Sequence, residues 1–176
     1  PNAATPFEVR SAVQELLAEA WRYRKKRMRT MPIAFVHSAR LHPRRFAMAD
    51  AQNPKLRFAS ALVRTIFLAR RLRKVWAGQK MVGILLPPSV PGALVNFAAM
   101  LLGKVPVNLN YTVSESTLAS CINQCDIKTV ITAKAFLDKL KLKVPGKAVM
   151  LEEVVGRSAI RRNEAKGDSE RPPHPT

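Results

Sequence analysis

The chain has 176 residues, 47% hydrophobic and 6% aromatic, which is enough for one core of modest size, and one domain with ragged ends is expected. Thirty Lys and Arg against 12 Asp and Glu give a net charge of +18 and a pI near 11.0, so the partners to consider are anionic: nucleic acid, an acidic membrane surface or an acidic neighbouring segment. Only two cysteines occur, four residues apart, too few for a four-ligand zinc site on their own.

From the N-terminus, Pro6 to Arg29 reads as a helix with Val9, Val13, Leu16 and Ala20 on one stripe. A dense basic run follows: Arg22, Arg24, Lys25, Lys26, Arg27 and Arg29, beside Trp21 and Tyr23. Two readings stand. A helix lying on an anionic bilayer carries this pattern, each cation near the surface adding about 1 kcal/mol; a plain solvated helix end carries it too.

Met31 and Pro32 are expected to break the chain before a second helix, Ile33 to Leu41, closed by His42 and Pro43. Phe46 to Asp50 and Lys55 to Phe58 read as short strands around a turn of Ala51, Gln52, Asn53 and Pro54. Ala59 to Trp76 is strongly helical, with Leu62, Ile66 and Ala69 on the face expected to pack on a sheet and Arg64 and Arg71 pointing away. Its basic end, Arg70, Arg71, Arg73 and Lys74, reads as a solvated terminus matched to the helix dipole.

After Gly78 the pattern turns to strand, helix, strand, helix, strand. Met81 to Leu86 is an apolar strand ended by Pro87 and Pro88; an apolar helix runs to Leu102; Gly103 releases the chain into Val105 to Leu109. Thr112 and Glu115 match a capping box at the start of a helix, Ser114 to Gln124. Thr129 to Thr132 is a third strand, Ala133 to Leu142 a helix and Ala148 to Leu151 a fourth strand. Crossovers of this kind make a mostly parallel sheet covered by helices. The fold class is therefore α/β, an incomplete three-layer domain preceded by helices: residues 1–31 a basic amphipathic helix and linker, 32–155 the domain, and 156–176 a polar, Pro-rich tail expected to be disordered.

Chemistry is sparse along this chain. There is no GxGxxG after a strand, no Walker loop, no serine flanked by glycines and no acid cluster with a base. Gly167, Asp168 and Ser169 lack the strand and helix a phosphate cradle needs. His37 and His42 fail the spacing of a His paired with an Asp five residues on, since Ala47 follows His42 and His42 itself follows His37. Cys121 and Cys125 share a helical face, but no ligand spacing from His37, His42 or His174 completes a zinc site, so they are expected to be buried free thiols. Met81 to Leu102 has the length to span a bilayer, but Pro87, Pro88 and Pro91 interrupt it. Pro1 to Glu8 has neither a basic start nor an apolar core, so no signal peptide is read, and a cytosolic chain cut from a longer one is expected.

LRFASALVRTIFLARRL followed by VGILLPPSVPGALVNFAAMLLGKVPVNLNYTVSESTLASCINQCDIKTVIT closely resembles the N-terminal subdomain of adenylate-forming enzymes, the acyl-CoA and acyl-carrier-protein synthetases. The wording is most similar to the synthetase half of bifunctional 2-acylglycerophosphoethanolamine acyltransferase/acyl-acyl-carrier-protein synthetases, and FEVRSAVQELLAEAWRYRKK resembles the segment joining their two halves. The resemblance covers roughly Phe7 to Glu153, and Val82 to Tyr111 is its most specific block.

The resemblance implies a fatty-acid ligase that uses ATP and Mg²⁺ to form an acyl-adenylate and passes the acyl group to a thiol. The phosphate loop with its Lys, the downstream nucleotide and Mg²⁺ residues and the catalytic Lys of that family are not in this sequence, so no catalytic, cofactor-binding or metal residue is carried over. ATP and fatty acid are expected as partners of the complete enzyme only, and the parent is expected at the inner face of a membrane. The other reading is a stand-alone basic protein binding nucleic acid or anionic lipid through Arg22 to Arg29. Nucleic acid is disfavoured, because no aromatic residues are spaced as a base-stacking platform.

Overall fold

A computed structural model describes residues 5–140, 142 and 144–156, without the side chains of Lys26 and Arg27. Beyond Gly156, the expected disordered tail, with Gly167 to Ser169 and His174, lies outside the described residues.

Helix α1 (Pro6–Arg27) begins in a capping box that the sequence reading did not single out: Thr5 Oγ1 accepts from the Glu8 N–H at 3.3 Å, and Glu8 Oε2 accepts from the Thr5 N–H at 2.7 Å. Hydrogen bonds from the Thr5 backbone and hydroxyl hold the Glu8 carboxyl below its ordinary pKa. Helix α1 ends two residues short of Arg29, and its apolar residues are exposed, Phe7 at 80% and Leu16 at 65%.

Helix α2 (Met31–Leu41) includes the residues expected to break it. Pro32 sits in the first turn, where its missing N–H would have had no helical acceptor, so it starts the helix rather than stopping it. Strands β1 (Phe46–Met48) and β2 (Leu56–Arg57) pair antiparallel as a small hairpin, and Phe58 already belongs to helix α3 (Phe58–Val75).

The main sheet is parallel, in the order β4-β3-β5-β6: β3 (Met81–Leu85), β4 (Val105–Asn108), β5 (Thr129–Thr132) and β6 (Lys147–Met150). From β3 the chain steps to the β4 edge through α4 (Val90–Leu101), then crosses back past β3 to β5 through α5 (Glu115–Gln124), and continues through α6 (Lys134–Leu140) to β6 and the short α7 (Leu151–Val155). Strand side chains alternate between faces. Val82, Ile84 and Ile131 pack with α2, α3, α4 and α7, whereas Leu85 and Val130 pack with α5 and α6 on the opposite face. Helices on both faces make it three-layered, as the sequence predicts.

Helix α3 buries Ala69 as expected, but with it Ala61, Thr65, Leu68 and Leu72, while Ile66 is exposed and Leu62 half-buried. Ala61 is small and packs in one cluster with Ala98 and Ala99 of α4, and Thr65 satisfies its hydroxyl on the Ala61 carbonyl at 2.8 Å. Trp76 closes the helix fully buried. At the N-terminal end of the sheet, Gln79 accepts from the Thr129 hydroxyl at 3.0 Å and gives its carbonyl to Lys104 Nζ at 2.6 Å, tying β3, β4 and β5 together.

Candidate functional site

Ligands of parallel α/β sheets collect at the carboxyl ends of the strands, and this chain has a cleft of about 660 Å³ there. It opens between the ends of β3 and β4, with Met48 of the hairpin, Leu86 and Pro87 after β3, Asn96 of α4, and Asn108 and Tyr111 at the end of β4 on its walls. Two amides brace it. Asn96 Nδ2 donates to Asn108 Oδ1 at 2.9 Å and Asn108 Nδ2 returns a bond to Asn96 Oδ1 at 3.0 Å, joining helix to strand. Beyond β4, Asn110 Oδ1 accepts from the Thr112 N–H at 2.9 Å and the Thr112 hydroxyl at 2.8 Å, and Tyr111 meets Phe136 edge to face at 5.1 Å.

That Asn110 turn explains a correction at α5. Thr112 is engaged with Asn110, so it does not cap the helix; Ser114 does, accepting from the Thr117 N–H at 3.3 Å.

The N-terminus of α4 faces the cleft, and a helix N-terminus is a ready anion site only while its N–H groups are free. Here those of the first turn are engaged. Val90 donates to Asp50 Oδ2 at 2.8 Å, Pro91 has no N–H, Gly92 donates to Ser89 Oγ at 3.3 Å, and Ala93 donates to the Ser89 carbonyl at 3.0 Å. The Asp50 carboxylate also places negative charge where a phosphate would sit. Burial works to raise the Asp50 pKa, but the hydrogen bonds from Val90, Asn53 and Gln52 outweigh it and the carboxyl titrates below its ordinary value. No residue on the cleft wall is an acid, a base, a histidine or a cysteine. The residues present therefore fit neither a triphosphate nor its Mg²⁺, and the described residues include no group of three or more His, Cys, Asp or Glu that could hold a metal.

The other residues singled out in the sequence are scattered. His37 is half-buried on α2 and His42 is its exposed C-cap. The thiols are not both buried: Cys121 is exposed and Cys125 half-buried against the α5 cluster, because Leu118 and Ile122 take the inward positions of that helix. Arg22, Arg24, Lys25 and Arg29 are exposed along and just beyond α1, as are Trp21 and Tyr23. Arg70, Arg71, Arg73 and Lys74 are exposed as expected, and Arg71 lies over the Phe67 ring at 5.3 Å. No described helix is long and apolar enough to cross a membrane. Asp50 was missed by sequence reasoning; the spacing Asp50 to Asn53 signals a turn, but its bond to Val90, forty residues away, has no local signature.

The profile of a family described as AMP-binding enzyme matches residues 35–176. Among solved structures, the N-terminal subdomain of NpsA from Klebsiella oxytoca is similar at 17% identity and a TM-score of 0.63, over 73% of this chain and 32% of that one. VinN is similar at 18% identity and a TM-score of 0.64, over 84% and 39% respectively. The O-succinylbenzoate coenzyme A synthetase MenE of Bacillus subtilis, solved with ATP and magnesium, is similar at 20% identity and a TM-score of 0.60, over 70% and 33%. At these identities the likeness is one of fold. The chain spans about a third of the length of the structures it matches.

Proposed function

The chain belongs to the AMP-binding enzyme family, and we propose that it is the N-terminal scaffold segment of an ATP-dependent fatty-acid ligase, silent in adenylation on its own. The observation that carries the reading is the pairing of that family match and fold with an α4 N-terminus whose Val90 and Gly92 N–H groups are engaged inside the chain. The segment supplies sheet and helices, and nucleotide chemistry falls to residues elsewhere in such an enzyme. ATP, Mg²⁺ and a long-chain fatty acid are then ligands of the complete protein, with CoA or a carrier protein as the thiol acceptor. A fused lysophospholipid acyltransferase half is part of the same reading, supported by the wording of Phe7 to Lys26.

A cytoplasmic enzyme resting on the inner membrane fits α1, whose exposed Val9, Val13 and Leu16 lie beside Trp21 and exposed Arg22, Arg24, Lys25 and Arg29, with Lys26 and Arg27 completing the run in the sequence. The alternative, a basic protein that binds nucleic acid, rests on the same cations. Purified chain incubated with ATP, Mg²⁺ and a long-chain fatty acid should release no pyrophosphate, and release above a heat-inactivated control would overturn the silence. Binding to duplex DNA that falls steeply with salt, without binding to anionic vesicles, would favour the alternative.

A further inference from the structure

We infer that the outward face of α3 is a second docking surface for an anionic lipid bilayer, separate from α1. Val63, Ile66, Phe67, Arg70 and Lys74 recur at i, i+3, i+4, i+7 and i+11, so they form one stripe on the side of the helix away from buried Ala61, Thr65, Leu68 and Leu72. Val63 is 67% exposed, Ile66 41% and Phe67 39%. Exposed Arg64, Arg71 and Arg73 flank the stripe. The 18 residues of α3 hold five cations and no acid. Helix-dipole matching accounts for Arg73 and Lys74 in the last turn, but not for Arg70 and Arg71 a turn earlier, nor for an exposed aliphatic and aromatic patch ahead of them.

The chemistry that covers such a face must be apolar at its centre and anionic around it. A bilayer interface provides both: Val63, Ile66 and Phe67 enter the boundary of the acyl chains while the arginines, on long apolar stems, hold their heads among the phosphates. Arg71, over the Phe67 ring at 5.3 Å, keeps a cation at the rim of the apolar patch. This inference stands on α3 alone and is independent of the ligase reading.

The test uses the full chain with vesicles of phosphatidylcholine containing phosphatidylglycerol, against phosphatidylcholine alone. With Cys125→Ser throughout, an environment-sensitive fluorophore is attached at Val63→Cys in a Cys121→Ser background, or at native Cys121, which is exposed on α5 across the sheet from α3. Anionic vesicles should shift the Val63→Cys label to shorter wavelength and leave the Cys121 label unchanged. Each surface cation is worth about a fivefold change in partitioning, so Arg70→Gln with Arg71→Gln should weaken vesicle binding about 25-fold. Both positions are exposed, and unchanged melting confirms that the variant is folded. Vesicle binding unaltered by that pair but lost on replacing Arg22, Arg24, Lys25 and Arg29 by Gln would assign docking to α1 and overturn the inference. Equal binding to neutral vesicles, binding to DNA or an acidic protein without vesicle binding, or a Val63→Cys label already buried by self-association would overturn it as well.

Discussion

Asp50 Oδ2 accepts the Val90 N–H at 2.8 Å, so a residue in the turn of the β1/β2 hairpin closes the N-terminus of α4, forty positions further along the chain. Its other oxygen holds the hairpin turn, accepting from Gln52 N–H at 3.0 Å, Asn53 N–H at 2.6 Å and Asn53 Nδ2 at 3.1 Å. One carboxylate thus fastens the hairpin to the main domain. Asp50→Ala should cost about 1.5–3 kcal/mol, the scale of hydrogen bonds to a charged group, and Asp50→Asn less, because one acceptor oxygen remains. Thermal melting of the three chains measures both.

The same group predicts a pH dependence. The folded pKa of Asp50 is depressed, so its contribution is fully present above the unfolded value of about 3.9 and is lost as pH falls through the lower, folded value. The stability gap between wild type and Asp50→Asn should be constant from neutral pH to just above that range and should shrink below it. A gap that stays constant to the acid limit of folding would show that the carboxylate charge contributes nothing.

Gly83 is closely packed on the α5 face of the sheet. A Cβ there would stand 3.0 Å from Ile127 Cγ2 and Val130 Cγ2 and 3.3 Å from Leu109 Cδ1. Overpacking of this kind costs about 1–3 kcal/mol, partly offset by the reduced freedom of the unfolded chain. Gly83→Ala should therefore lower the melting temperature, and equal or raised stability would show that these side chains give way freely.

Both outer strands, β4 and β6, have only one partner in the described sheet, and Val105 on β4 is 45% exposed. An unpaired apolar edge templates pairing with another chain. Light scattering should show concentration-dependent association that Val105→Lys reduces; a monomer at all concentrations would contradict this.

The parallel core was legible because its signals are local. Apolar runs such as Val82 to Leu85 and Thr129 to Thr132 alternate with capped helices, and the turn residues Pro87, Pro88 and Gly103 fall between them. What sequence pattern misplaced was set by partners distant in the chain or by competition between neighbours. Thr65 is fully buried with its hydroxyl bonded to the Ala61 carbonyl, whereas a count of apolar side chains ranks it below exposed Ile66. Thr112 lost its capping role to Asn110, and Ser114 took it. The state of the α4 N-terminus was legible only in part: Ser89 before an apolar helix signals a cap, whereas Asp50 reaches Val90 only once the hairpin has docked.

The most direct measurement follows the backbone amide resonances of Val90, Gly92 and Ala93 while ATP and Mg²⁺ are titrated into the chain. With their donors held by Asp50 and Ser89, these signals should stay unshifted through millimolar nucleotide. A saturable shift at Val90 or Gly92 would show that the end of α4 binds phosphate, and would contradict the reading of this segment as scaffold.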